Sequence, residues 1–264
     1  MPKIKQSTLL VLALNSGLAL AGTMGPTDNF THSPYVKLGS GGSYSMKAGI
    51  SPDHQTWDTS PQGYNADVGN TALYSAAFGY HISSLLSGDI QYIYRPSYNY
   101  EKYQTSSAAG TANFSGNKTR YFDLQSNSLM ANAYLHGREY PGILNRALGQ
   151  GFFVEPFIGG GLGVAFNTVS NFHSVSQTRS GVNRGPVVAM ILDHERTSLA
   201  YQFSAGLNLY NNTHFNLGAG YRYYNGGVFT SENYLIEHQI TVPPWKGTLQ
   251  ANEFFIDLMY KFNA

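Results

Sequence analysis

The sequence predicts an all-β fold, an antiparallel transmembrane β-barrel of eight strands. Three observations carry this prediction. Residues 253–262 alternate between an oily face and a charged face, the pattern of a strand at a membrane. The chain begins with a segment typical of exported proteins, and it is rich in tyrosine, phenylalanine and glycine, with 20, 15 and 29 residues. Beyond that leader no apolar stretch approaches the roughly 18 residues of a membrane helix. A closed barrel is therefore the way such a chain spans a membrane.

Residues 1–21 have the features of a secretory signal peptide. Lys3 and Lys5 precede an apolar stretch, and Ala19-Leu20-Ala21 forms an A-x-A cleavage site. Such a peptide is too short to span a membrane and is removed from the mature protein. We therefore expect export to the periplasm.

The rest of the chain divides into a periplasmic lead-in, residues 22–33, and a single barrel, residues 34–264. Charged residues make up 12% of the sequence and the mean hydropathy is −0.24, which disfavours a helical bundle. Cysteine is absent, so the chain is neither a disulfide scaffold nor a cysteine-based metal protein. Lys and Arg are scattered and the formal net charge is +1, so we expect no nucleic-acid partner and no cofactor.

Alternating segments separated by turn residues predict the strands in order. In the second strand Tyr74, Ala76, Phe78 and Tyr80 share one face. A link of a few residues joins it to the third strand, which indicates a hairpin. The link after the fourth strand has room for a short helix around residues 143–148. The eight predicted strands are 34–42, 71–82, 88–98, a segment within 118–136, 152–168, 198–210, 213–224 and 253–262.

The connections between these strands differ in length in a regular way. The long ones, residues 45–70, 101–117, 169–196 and 225–251, all follow odd-numbered strands. Because neighbouring strands are antiparallel, the long connections lie at one end of the barrel and the short ones at the other. This asymmetry disfavours the alternative of a soluble β-sandwich, which has frequent short turns. Ten strands are the alternative count if the first or third long connection contains a hairpin.

This pattern resembles the small eight-stranded outer-membrane barrels of the OmpA, OmpX and opacity-protein type. The start of the mature chain, Ala21-Gly22-Thr23-Met24-Gly25-Pro26, is similar to that of Legionella-type major outer-membrane proteins, although the cysteines that cross-link those proteins are missing. The resemblance implies a monomer in the outer membrane of a Gram-negative cell. It also implies outer-membrane lipid, lipopolysaccharide, periplasmic chaperones and the barrel-insertion machinery as partners. Tyr260 and Phe262 are the expected C-terminal insertion signal.

Charged residues on the inward faces of the strands are the candidate functional residues, because an ionisable group at membrane depth is costly unless it is paired or hydrated. An eight-stranded barrel is barely wider inside than its own side chains. The balanced set therefore predicts an ion network that fills the lumen, with a narrow ion path as the alternative. We expect Arg222 to pair with Asp257 across the last two strands. The eight residues are Lys37, Asp89, Arg95, Glu155, Arg222, Glu253, Asp257 and Lys261.

Other motifs favour structural roles. In Gly159-Gly160-Gly161-Leu162-Gly163 no helix pattern follows, so a phosphate loop is disfavoured, and the odd-numbered glycines are expected to face inward and make room for bulky neighbours. His81-Ile82-Ser83 has the H-x-S spacing of lipid A deacylases, but its position at the short-turn end favours a turn-capping pair. Trp57 and Trp245 lie in predicted loops, as possible contact points or lipid anchors.

Taken together, these features predict a non-enzymatic, surface-exposed outer-membrane protein that contributes to envelope integrity and presents its loops. The alternative is a narrow, porin-like channel for ions or small hydrophilic solutes. No cluster of Asp, Glu and His has metal-ligand spacing. The adjacent pairs Asp53-His54 and Asp193-His194 lack the geometry of a general base, because neighbouring residues on a strand face opposite sides.

Overall fold

The computed structural model describes eight parts of the chain. The predicted signal peptide, most of the lead-in and Trp57 lie outside them. Among the described residues no helix is long and apolar enough to cross a membrane. The described parts are residues 32–50, 67–104, 118–137, 146–149, 152–177, 184–210, 214–236 and 239–262.

These residues form twelve strands in one antiparallel sheet. Eight of them close into a ring in the order β1-β2-β3-β4-β6-β8-β9-β12, and β12 returns to pair with β1 from Tyr35↔Lys261 to Ser45↔Ala251. The predicted eight-stranded barrel is therefore confirmed. The strands are β1 (Ser33–Ser45), β2 (Asn70–His81), β3 (Leu86–Gln104), β4 (Lys118–His136), β5 (Arg146–Gly149), β6 (Phe152–Gln177), β7 (Arg184–Ile191), β8 (His194–Tyr210), β9 (Phe215–Thr230), β10 (Tyr234–Leu235), β11 (Ile240–Thr241) and β12 (Lys246–Lys261).

Four short strands extend the sheet without widening the ring. β7 pairs with the end of β6, so the third long connection does contain a hairpin, although β7 is not part of the ring. β10, in the fourth long connection, pairs with both β7 and β11. β5 pairs with the start of β6. The helix expected around residues 143–148 is wrong over its described part, because residues 146–149 are strand.

Several ring strands run past their predicted ends. β3 continues to Gln104 and β6 to Gln177, while β12 begins at Lys246 rather than near residue 253. The added segments all lie at the end of the barrel that carries the long connections. The strands thus extend past the predicted barrel wall at this end, whereas at the other end residues 82–85 join β2 to β3.

Side chains alternate across the barrel wall as the sequence pattern predicts. On β12 the outward residues Phe254 and Ile256 are 59% and 60% exposed, whereas the inward Asp257 is 8% exposed. Most of the other outward positions are also apolar, so a belt of oily side chains surrounds the ring. This belt includes Leu38, Tyr74, Phe78, Ile90, Tyr92, Leu129, Leu135, Ile158, Leu162, Leu199, Phe203, Leu207, Phe215, Leu217 and Leu258.

The glycine run of β6 gives the strand room to pass large inward side chains. A Cβ at Gly159 would collide with the ring of Tyr134, and one at Gly161 with the side-chain oxygen of Asn132. A Cβ at Gly160, which faces outward, meets nothing nearer than the ring of Phe203 at 3.6 Å. The odd-numbered glycines therefore make room in the lumen, as predicted, and β6 continues as a strand without a helix.

Candidate functional site in the barrel lumen

An ion cluster around Glu253 occupies the middle of the lumen. Arg95 Nε and Arg222 Nε each donate to one oxygen of the Glu253 carboxylate at 2.6 Å, and Ser43 Oγ adds a third hydrogen bond at 2.8 Å. All four side chains are buried. Their strands meet here because β12 pairs with both β1 and β9, which places Ser43 and Arg222 directly opposite Glu253.

Arg95 is fixed from several sides. Its Nη2 also donates to Glu253, its Nη1 donates to Ser128 Oγ at 3.1 Å, and its guanidinium carbon lies 3.6 Å from the centre of the Tyr224 ring. A planar guanidinium can form two parallel hydrogen bonds and stack at the same time, which a lysine cannot. This arginine therefore marks the boundary between charged and aromatic contents of the lumen.

The predicted Arg222–Asp257 pair is wrong. The register of β9 and β12 sets Arg222 opposite Glu253 and sets Asp257 opposite Gly218. Asp257 instead lies 4.0 Å from Lys37 Nζ, and Lys37 makes a closer ion pair with Asp89 at 2.8 Å.

Lys37 is the centre of a second ion cluster, nearer the short-turn end. Besides Asp89 it donates to Tyr134 Oη at 3.2 Å, and it lies 4.5 Å from the centre of that ring. Tyr35 Oη donates to Asp89 at 3.3 Å. The ammonium and the Asp89 carboxylate are therefore paired and hydrogen-bonded, as buried charges must be.

A chain of amides joins the two ion clusters. Asn132 donates to Asp89 at 2.7 Å and to Gln91 at 3.2 Å, and it accepts from Gln202 at 2.7 Å. Gln91 in turn accepts from Arg222 Nη1 at 3.4 Å. The connected hydrogen bonds hold the charged groups in one arrangement, since each side chain is oriented by the next.

The remaining two predicted residues lie nearest the short turns. Glu155 lies 3.5 Å from His136 Nδ1, and the other ring nitrogen of His136 is 2.8 Å from Ser87 Oγ. The Asn216 amide satisfies both its neighbours when its nitrogen faces the carbonyl of Phe215. In that orientation its side-chain oxygen accepts from Lys261 Nζ at 2.9 Å. The structure therefore buries all eight predicted residues and distributes them over three clusters along the lumen.

We call this ion-bearing part, from Arg95 and Glu253 down to Lys261, the polar half of the lumen. A cavity of about 30 Å³ lies within it, lined by Lys37, Arg222 and Asp257 among others. That volume holds no more than a few water molecules. None of the described residues forms a group of three or more Asp, Glu, His or Cys side chains that could hold a metal ion.

The lumen toward the long connections is filled differently, and we call this part the apolar half. Phe122 stacks on Tyr100 with 4.4 Å between ring centres and on Phe172 with 5.6 Å. Phe172 meets Trp245, which is 5% exposed. The interpretation of Trp245 as a surface contact or lipid anchor is wrong, because the indole is part of this core. The apolar half also includes Ile50, Val68, Ile93, Tyr98, Leu124, Met130, Val169, Ile191, Tyr224, Phe229, Leu235 and Leu249.

Two other predicted features can be placed. Ser83 Oγ accepts hydrogen bonds from the backbone N–H groups of Leu85 and Leu86, at 3.2 and 3.1 Å, so it caps the β2–β3 turn. His81, the other member of the predicted capping pair, is 3% exposed, and its ring lies 4.9 Å from that of Tyr35. The Tyr260 ring, near the end of β12, lies 5.2 Å from that of Phe262, which is 39% exposed. These two rings face the outside of the barrel wall at the short-turn end.

The uncharged residues of the lumen were not predicted from the sequence. Ser128, Asn132, Tyr134 and His136 of β4 are buried with the ions. The pattern contained a usable signal, because these residues alternate with the outward Leu129 and Leu135. Their interaction partners come from other strands and follow from register, which the pattern does not supply.

No protein-family model matches the chain, and no curated protein matches it. Solved structures of small outer-membrane β-barrels do. OprG of Pseudomonas aeruginosa is 12% identical over 90% of this chain and 100% of that one, with a TM-score of 0.46. Neisserial surface protein A is 14% identical over 87% and 97%, with a TM-score of 0.42. AlkL, determined in lipid bilayers, is 14% identical over 92% and 96%, with a TM-score of 0.40.

Proposed function

We propose that this chain is an outer-membrane β-barrel protein with a closed lumen. It contributes to envelope integrity and presents its long connections at the cell surface. The oily belt around the ring supports a position in a bilayer, because lipid-facing barrel positions are apolar while inward positions are polar. The short turns then face the periplasm and the long connections face outward.

The observation that carries this proposal is the apolar half of the lumen. Rings such as Phe122, Phe172 and Trp245 pack against one another across the barrel at the outward end. Below them, the carboxylate of Glu253 is held between two arginines. A solute would have to displace both layers, so we expect no open path through the barrel.

The alternative is a narrow channel for ions or small hydrophilic solutes. It is supported by the cavity in the polar half, which is lined by charged and amide side chains of the kind that line ion paths. For conduction, the apolar half would have to rearrange. The two proposals therefore differ in one measurable property, which is whether the folded barrel conducts ions.

Single-channel recording of refolded protein in a planar bilayer tests this. Folding is first verified by the mobility shift between unheated and boiled samples. We expect a silent membrane. Discrete current steps that disappear or change size in Arg222→Gln would overturn the closed-barrel proposal and establish the channel. Phe203→Ala, at an outward position that is 62% exposed, is the matched control for effects of mutation alone.

We also propose that the protein is not an enzyme. Ser87, His136 and Glu155 follow the order of a nucleophile, base and acid, but Ser87 is 1% exposed and the cavity that it borders has a volume of only about 30 Å³. A catalytic serine needs space for the substrate beside its hydroxyl. A fluorophosphonate probe should therefore leave the folded protein unlabelled. Labelling that is lost in Ser87→Ala would contradict this.

Outer-membrane lipid and lipopolysaccharide are the proposed contacts of the oily belt, and the chain acts as a monomer. Periplasmic chaperones and the barrel-insertion machinery are the proposed partners during assembly. Tyr260 and Phe262 support this because their rings lie together at the end of the last strand. Replacing both with alanine should slow insertion into membranes in a reconstituted assembly assay, whereas Phe254→Ala on the same face should not.

A further inference from the structure

The cavity in the polar half is bordered by two charged side chains of opposite sign. Arg222 is 3% exposed and Asp257 is 8% exposed, and both line the cavity together with Ser204. Glycine occupies the position opposite Asp257 on each neighbouring strand, at Gly39 of β1 and Gly218 of β9. The Asp257 carboxylate fills the room beside Gly39, whereas Gly218 borders the cavity.

Each of these two side chains has one polar atom whose hydrogen-bonding capacity is not used by the described residues. Arg222 uses Nε for Glu253 and Nη1 for Gln91, but within the described part of the chain its Nη2 has no hydrogen-bond partner. Asp257 has Oδ2 at 4.0 Å from Lys37, and its Oδ1 likewise finds no partner among the described residues. A buried polar atom without a partner destabilises the folded state, and more so when it belongs to a charged group.

The chemistry of the two atoms selects the ligand. Nη2 is a donor and repels a cation, whereas Oδ1 is an acceptor and repels an anion. Water can accept from the first and donate to the second, and buried waters generally join two to four such groups. We propose that the cavity is a water-binding site in which bound water links Arg222 to Asp257.

This site explains how an aspartate with no direct arginine partner is kept in the lumen. The water connects Asp257 to the arginine cluster, so the two ion clusters are joined by water as well as by amides. It also distinguishes the two arginines of the central cluster. Arg222 contacts water, whereas Arg95, with Glu253, Ser128 and the Tyr224 ring around it, does not.

Water-edited solid-state NMR of the protein in lipid bilayers tests the site. Magnetisation is transferred from water protons to ¹⁵N-labelled arginine side chains, and the two signals are assigned by their loss in Arg222→Lys and Arg95→Lys, or by backbone-linked correlations if a variant fails to fold. At short mixing times we expect several-fold more water signal at the Arg222 guanidinium than at that of Arg95. Equal, slow build-up at both would overturn the proposal.

Two variants of Asp257 identify the acceptor. Asp257→Asn keeps the side-chain oxygen and should retain the rapid transfer to Arg222. Asp257→Leu removes the oxygen and fills the cavity, and it should reduce that transfer to the level of Arg95. Rapid transfer that persists in the leucine variant would show that the water does not bridge these two groups. The test does not depend on whether the barrel conducts.

Discussion

The two halves of the lumen solve the same packing problem by opposite means. The polar half fills a narrow space with charges, amides and hydroxyls that satisfy one another, whereas the apolar half fills it with stacked aromatic rings. The halves meet at Arg95, which binds Glu253 on one side and stacks on Tyr224 on the other. The lumen of one barrel can thus be filled by a hydrogen-bonded polar core in one half and by an aromatic core in the other.

The difference follows from where each half lies. The polar half is enclosed by the oily belt, so its side chains must be satisfied within the lumen because the lipid offers no hydrogen bonds. The apolar half is built partly from the strand extensions at the long-connection end, such as the last residues of β6 and the first of β12. In the placement proposed above, the wall there faces water, and the interior is apolar as in a soluble β-protein.

The largest effect that we expect comes from removing the shared carboxylate of the polar half. Glu253→Ala leaves Arg95 and Arg222 buried without their counter-ion, and breaking such a cluster costs about 3–5 kcal/mol. Urea unfolding in detergent, followed by gel mobility of unheated samples, measures the loss. Glu195→Ala, at an exposed position of β8, should change stability by less than about 0.5 kcal/mol. An equal, small loss in both variants would mean that the ion cluster is dispensable.

In the apolar half, Phe122→Ala tests whether aromatic stacking contributes as much to the free energy of unfolding as the ion cluster around Glu253 does. The ring is 2% exposed and contacts three others, so its removal leaves a cavity and should cost about 3 kcal/mol or slightly more. The matched variant is Phe203→Ala on the lipid-facing surface, where no core cavity forms. If the two variants unfold at the same urea concentration, the apolar half is not a packed core.

The alternation of β12 shows what the sequence could predict. Because side chains switch faces at every residue, Phe254, Ile256, Glu253 and Asp257 could be assigned to the outside or the lumen from the pattern alone. The same reasoning supplied the eight-stranded ring. It needed no knowledge of which strand positions face each other.

Pairing within the lumen could not be predicted in this way. Glu253 and Asp257 lie on the same face of one strand, four residues apart, and either could have met Arg222. Register decides between them, and here it depends on a long connection and on an irregularity between Leu249 and Gln250. The burial of Trp245 could not be predicted for a related reason, since the pattern does not show that strands such as β12 continue past their predicted ends.

A smaller effect is expected where the glycine run of β6 passes β4. Gly163→Ala would drive a Cβ into the backbone of β4, against the carbonyl of Leu129 and within 2.8 Å of Met130 Cα. Backbone cannot yield as a flexible side chain can, so we expect a loss of about 1–3 kcal/mol. Gly160→Ala, on the outward face of the same run, should be neutral. Equal stability of the two variants, measured by urea unfolding, would contradict the role assigned to the inward glycines.

The smallest effect should come from the surface above the apolar half, where Glu232 precedes β10. Its carboxylate accepts from the backbone N–H of Asn233 at 2.9 Å and lies 3.2 Å from His194 Nδ1. These contacts hold the pKa of Glu232 below its ordinary value, the hydrogen bond to Asn233 contributing most. A lowered pKa stabilises the fold above the unfolded value of about 4.3, and this contribution disappears as the pH falls through the folded value. Glu232→Gln should therefore be slightly less stable than the parent at pH 7 and equally stable at strongly acidic pH. A difference between the two that stays constant from neutral to acidic pH would show that the carboxylate charge has no part in it.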